Sequence, residues 1–243
     1  MIALYKKEIR AFLYSLTGTM VIATYLAINA AFLWILPGQF NLLDSGWANI
    51  DGLFILSPWI FMFLLPAITM RMFSEEKRNG TLELLFTQPL SEWQIVGAKF
   101  LAAFSLVLFA LLPTLLYFYS LYDLGAPRGS IDLGGTWGSY IGLFLLGGAY
   151  AAIGLFSSSL TNNPIVAFLL AALLCFTFFF GIEEMAKLLP HGHGSRLLAG
   201  LSINAHYVSV SRGVIDSRDL VYFLSIILFF LSGTRLHLQS RSW

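Results

Sequence analysis

Six long stretches of the chain contain no Asp, Glu, Lys or Arg: residues 11–36, 53–70, 100–121, 137–160, 164–182 and 220–234. A bilayer core of about 30 Å is crossed by a helix of roughly 20 apolar residues, so these stretches read as transmembrane helices. Only 11% of the 243 residues are charged, against about 25% in a soluble domain. Too little charge remains to clothe a globule in water. The expected fold is therefore an all-α polytopic membrane protein with six transmembrane helices, in one domain over residues 1–243.

The first stretch is too long for the apolar part of a signal peptide, about 7–15 residues, and is expected to be an uncleaved span. The fourth and fifth are separated only by Thr161, Asn162 and Asn163. Asn163 suits an N-cap and Pro164 a first helical position, which predicts a tight turn between two spans. Gly138 with Gly142, and Gly147 with Ala151, set small residues four apart in the fourth span, where they favour close helix packing. Pro58, Pro66 and Pro113 can kink the second and third spans. Asn29, the most polar residue inside the first span, is expected to make an interhelical hydrogen bond.

Orientation follows from the basic residues. With the N-terminus inside, Lys6, Lys7, Arg10, Arg71, Lys77, Arg78, Lys99, Arg235 and Arg241 face the cytoplasm, against Arg128, Lys187, Arg196, Arg212 and Arg218 outside. An even number of spans then returns the C-terminus to the cytoplasm. The net charge of +1 gives no electrostatic case for a nucleic-acid partner. A single cysteine, Cys175, excludes an intramolecular disulfide and a thiolate zinc cluster.

The segment between the second and third spans, residues 71–99, is the most informative. Glu75 to Arg78 carries the second helix out of the membrane. Asn79-Gly80 is a helix stop able to turn left-handed. Thr81 can cap a short helix whose Leu82, Leu85 and Phe86 share an apolar face, and Pro89 ends it. Ser91 with Gln94 makes a capping box for the next helix. Such a helix is either a rigid knob that transmits force to a partner or an interfacial helix resting on headgroups.

The string Glu75-Glu76-Lys77-Arg78-Asn79-Gly80-Thr81-Leu82-Glu83-Leu84-Leu85, with Pro89-Leu90-Ser91, Gly97 and Lys99 after it, resembles the first cytoplasmic loop of ABC-2-type permeases. The finer likeness is to the GldF-type permease subunits of gliding motility in Bacteroidetes. The resemblance covers essentially the whole chain. It implies a type V exporter-like fold with an N-terminal elbow helix, residues 1–10 including Lys6, Lys7 and Arg10. It also implies a cytoplasmic coupling helix that seats in a separate ATPase, with Glu75, Glu76, Gly80, Thr81, Leu82 and Glu83 as the docking element. Residues 183–219 would be an external loop with short helices that close the exit side. The implied place is the bacterial inner membrane, beside a second permease copy or a homologous one.

No Gly-x-x-x-x-Gly-Lys-[Ser/Thr] loop occurs in the sequence, so ATP and its Mg are expected on the partner, with no cofactor or metal bound by this chain. The implied function is export of a substrate or support of gliding motality and secretion; a non-transporting anchor that passes on ATP-driven motion uses the same helix. A remoter reading is an intramembrane protease of the CAAX type, from Glu183-Glu184 with His191, His193 and His206 downstream. That motif departs from its pattern at Leu188, where an arginine belongs, with Lys187 one position early. His191-Gly-His193 alone is a weak metal site.

Overall fold

The computed structural model describes residues 1–44, 49–125, 128–129, 131–189, 192–213 and 216–239. Among these there is no strand, and six helical segments are long and apolar enough to cross a membrane. His191 and Arg241, which entered the readings above, lie outside the described residues.

The chain opens with α1 (Ile2–Leu13) and α2 (Leu16–Ala30), the latter followed by a π-helical turn at Ala31–Ile35. Helix α1 thus runs three residues past the elbow expected over residues 1–10 and takes residues 11–13 from the first span. The break is chemical: the Ser15 hydroxyl donates to Phe12 O at 2.7 Å and accepts from the Gly18 N–H at 3.0 Å, ending one helix and capping the next. The second transmembrane segment joins α3 (Asp51–Thr69) to α4 (Arg71–Arg78), and α5 (Thr81–Phe86) follows. Helix α6 (Glu92–Leu111) begins in the capping box of Ser91 and Gln94. Pro113 tightens its end into a 3-10 turn before α7 (Leu115–Leu124).

Helix α8 (Leu133–Leu160) is the longest and the most central, touching α3, α4, α6 and, further along the chain, three more helices. Those are α9 (Pro164–Phe176), α12 (Ile203–Ser211) and α13 (Ser217–Gln239). Asn163 caps α9 by accepting from the Ile165 N–H at 2.9 Å. A π-helical turn, Thr177–Gly181, and α10 (Ile182–Leu188) continue the fifth span, so the loop expected from residue 183 starts six residues later. Two short helices, α11 (His193–Ala199) and α12, then precede α13.

The glycines of α8 serve several neighbours rather than one seam. A Cβ on Gly147 would lie 2.5 Å from Val107 of α6, and one on Gly138 would lie 2.7 Å from Gly213 after α12. Gly142 faces Tyr207 of α12, and Ala151 is wholly buried. Asn29 departs from expectation: its amide donates to Tyr25 O of its own helix at 2.9 Å, and its Oδ1 is buried with no hydrogen-bond partner among the described residues. The cause is local, since the carbonyl four residues back is always within reach of a helical Asn.

Six crossings put α1, α5 and the end of α13 on one face, here the proximal face. The end of α7, the start of α8 and helices α10–α12 lie on the opposite, distal face.

Candidate functional site

The chemistry concentrates where α3 hands over to α4. Helical bonding breaks at Met70, and the first N–H groups of α4 need partners. Ser158 of α8 supplies them, accepting from the Phe73 and Ser74 N–H groups at 3.0 and 3.1 Å and donating to Met70 O at 2.9 Å. That uses the full capacity of a hydroxyl. One turn earlier, Gly154 lets Thr69 of α3 approach so closely that a Cβ would stand 2.0 Å from its hydroxyl. Lys77 donates to Ser159 O near the end of α8, where a cation is favoured by the helix dipole.

The same junction holds a wholly buried cation. Lys99 of α6 has no solvent exposure, and its three ammonium protons meet three acceptors: Glu8 Oε1 at 2.9 Å, Glu76 Oε1 at 2.9 Å and Met72 O at 2.7 Å. The ammonium also lies 5.1 Å from the centre of the Phe73 ring, a geometry that adds cation–π attraction. Lys7 approaches Glu76 at 3.6 Å from the surface. One lysine therefore ties α1, α4 and α6 together. On the sequence Lys99 counted as a basic residue beside the membrane and as part of the loop resemblance, not as a buried cation.

The residues singled out for docking divide into two sets. Glu75, Gly80, Thr81 and Glu83 are exposed, whereas Leu82 is buried and Glu76 turns inward to Lys99. Gly80, at φ +69°, is the N-cap of α5, a role expected of Thr81. The left-handed turn that ends α4 leaves Thr81 already helical, and its hydroxyl reaches back to Glu76 O at 3.3 Å. Leu84 and Phe86 join the exposed set. Of the elbow cations, Lys6 and Arg10 are exposed and Lys7 belongs to the ion-pair cluster.

Beside α5 a groove of about 710 Å³ is lined by Glu83, Phe86, Trp93 and Arg235, among others. Arg235 of α13 pairs with Glu92 at 3.2 Å and lies 5.2 Å from the Trp93 ring centre, joining the end of α13 to the start of α6.

The residues of the protease reading are engaged elsewhere. Glu183 accepts from Asn204 at 2.7 Å and pairs with Lys187, as does Glu184. His193 is exposed at the start of α11, and His206 pairs with Asp219. No group of three or more His, Cys, Asp or Glu suited to a metal occurs among the described residues.

Six helical segments long and apolar enough to cross a membrane, with a short helix hung between the second and the third, describe a multi-pass membrane protein. The family model described as "ABC-2 family transporter protein" matches residues 39–204, and the chain belongs to that family. It is thus a permease subunit of an ABC transporter, a membrane transport component of a family that works with an ATPase in a lipid bilayer. No curated protein matches the chain.

Proposed function

We propose that this permease is driven by a separate cytoplasmic ATPase that grips α5. The exposed Glu75, Gly80, Thr81 and Glu83 form the contact, while Leu82 and Glu76 hold the helix to the bundle. The observation that carries the reading is the stiffness of the link. Helix α5 hangs from α4, and α4 is fixed to α8 by Ser158 and Lys77 and to α6 and α1 by Lys99. A push on α5 is therefore delivered to several helices at once rather than absorbed in a loop.

In this reading the proximal face is cytoplasmic, the membrane is the bacterial inner membrane, and ATP with Mg sits on the partner. A second permease, identical or homologous, completes the pathway. The overall similarity of the chain to GldF-type permease subunits supports service in gliding motility or secretion.

The test is a purified complex from the native membrane. Glu83→Arg reverses a contact charge, and Gly80→Pro forbids φ +69°. Each is expected to abolish permease-stimulated ATP hydrolysis while the thermal unfolding of the bundle is retained. Normal stimulation in both variants, or purification of the permease with no ATPase, overturns the proposal.

A further inference from the structure

Helix α12 packs on Gly138 and Gly142 of α8 and is otherwise joined to the elements around it by single side-chain bonds. Asn204 donates to Glu183 of α10 at 2.7 Å, and the Tyr207 hydroxyl donates to Phe54 O of α3 at 2.7 Å. Ser139 of α8 donates to Ser211 O at 3.0 Å, and Ser202, just ahead of α12, donates to Phe179 O at 3.0 Å. The fifth link joins His206 Nδ1 to Asp219 Oδ1 of α13 at 2.6 Å. Another side of α12, with Asn204, Tyr207, Val208 and Ser211, lines a distal cavity of about 610 Å³ faced by Trp59 and Phe180.

We propose that α12 is a movable wall of this distal vestibule and that the His206–Asp219 pair is its proton-operated latch. The bonding of the imidazole carries the argument. Its Nε2 lies 2.9 Å from Gly200 O, a carbonyl that can only accept, so Nε2 bears a hydrogen. The other nitrogen faces a carboxylate oxygen. Both bonds form together only when the pair holds one more proton than a neutral imidazole beside a carboxylate. With that proton gone, the ring keeps one bond and loses the other.

Asp219 raises the stakes. It is 5% exposed, and its Oδ2 is buried with no hydrogen-bond partner among the described residues, so its charge depends on a cation close by. Tyr222 stacks on the imidazole at 3.8 Å and 19°, a geometry that favours the cationic ring. The Tyr222 hydroxyl is engaged with Leu201 O at 2.5 Å, which holds the stacking ring in place.

Among the described residues, Asp219 and Tyr222 are the titratable groups bonded to or stacked on His206. Glu183 and Lys187 on α10 pair with each other, and Asp132 and Tyr140 lie in the distal half of α8. Asp51 stands at the start of α3, and Asp216 with Arg218 leads into α13. Burial pushes the Tyr207 phenol well up, so it stays a donor to Phe54 O. Among all of these side-chain types, histidine alone ordinarily changes charge between pH 5 and 8. The sign follows: the extra proton adds a bond and an opposite charge to the closed arrangement, so the latch is fastened in acid and weakens as pH rises.

The inference goes beyond the docking proposal, shares no residue with it, and its test needs neither ATPase nor substrate. The experiment uses the full chain in lipid nanodiscs, in a Cys175→Ala background, with nitroxides at Val208→Cys and Leu133→Cys. Spin–spin distances are measured at pH 5.5 and 8.5. One short distance is expected in acid, with the ratio of long to short populations rising about ten-fold or more in alkali. His206→Gln and, independently, Asp219→Asn are expected to give pH-independent distributions. A parent distribution unchanged between the two pH values overturns the latch, as does an undiminished pH response in either folded variant.

Discussion

Removing the ammonium of Lys99 should unfasten the proximal junction, and the cost can be worked from its partners. Lys99→Met leaves Glu8 and Glu76, whose side chains are 12% and 15% exposed, facing one another without their shared cation. Breaking a buried pair in this way costs about 3–5 kcal/mol. Both carboxylates keep some access to water, so the lower end applies, about 3 kcal/mol. For a chain of this size, roughly 2–4 °C of melting temperature accompanies each kcal/mol, which gives a fall of roughly 6–12 °C.

The triple variant Lys99→Met, Glu8→Gln, Glu76→Gln removes the stranded charges. It retains chiefly the loss of the donor to Met72 O, about 1 kcal/mol, and should melt within roughly 2–4 °C of the parent. Thermal unfolding followed by tryptophan fluorescence in nanodiscs measures both. A single variant as stable as the parent, or a triple variant as unstable as the single, refutes the charge-clamp account of the junction.

Two further outcomes follow from close contacts on α3. Gly154→Ala sets a methyl 2.0 Å from the Thr69 hydroxyl and should destabilise by about 1–3 kcal/mol, with part of the loss recovered in Gly154→Ala, Thr69→Ala. Equal melting of the parent and Gly154→Ala would remove that contact from the argument. Tyr207→Phe deletes the donor to Phe54 O and should cost about 1–2 kcal/mol. The loss should shrink in a Pro58→Ala background, where residue 58 regains the N–H that normally serves that carbonyl; a double-mutant cycle with no coupling contradicts the pairing.

The six spans and both turn chemistries were legible because they depend on local rules: charge-free length, Asn163 before Pro164, Ser91 three residues ahead of Gln94. Helix ends were less so. A window free of charge stops at residue 100, yet α6 extends back to Glu92 and takes Lys99 inside it. A signal for that burial was present. Ile95, Val96, Lys99, Ala102, Ala103 and Leu106 recur at helical spacing and are all buried, so the lysine sits on the inward stripe. Leu4 with Glu8, and Met72 with Glu76, repeat the pattern of an apolar residue one turn from an acid. What the sequence could not reveal was that the three stripes converge, because that depends on how α1 crosses α6. His206 and Asp219 were hidden for the same reason: they belong to separate helices and share no periodic frame.

Helix α3 is the element in which these observations meet. At its proximal end it is fixed to α8 through Gly154 and Ser158, next to the cluster that anchors α5. Near its distal end Phe54 O accepts from Tyr207, on the wall that His206 latches. Between those points lie Pro58 and Pro66, each of which lacks the N–H that would stiffen the helix. Together α3 and α4 run from Asp51 to Arg78, 28 residues and about 42 Å at 1.5 Å per residue. It therefore reaches from α5 to the distal cavity, where Phe54 O meets Tyr207 of α12. Helix α8 is equally long but carries no proline, so it resists bending while α3 can yield. Movement of α5 then has a direct mechanical route to α12, along the one helix that both faces hold and that its prolines allow to bend.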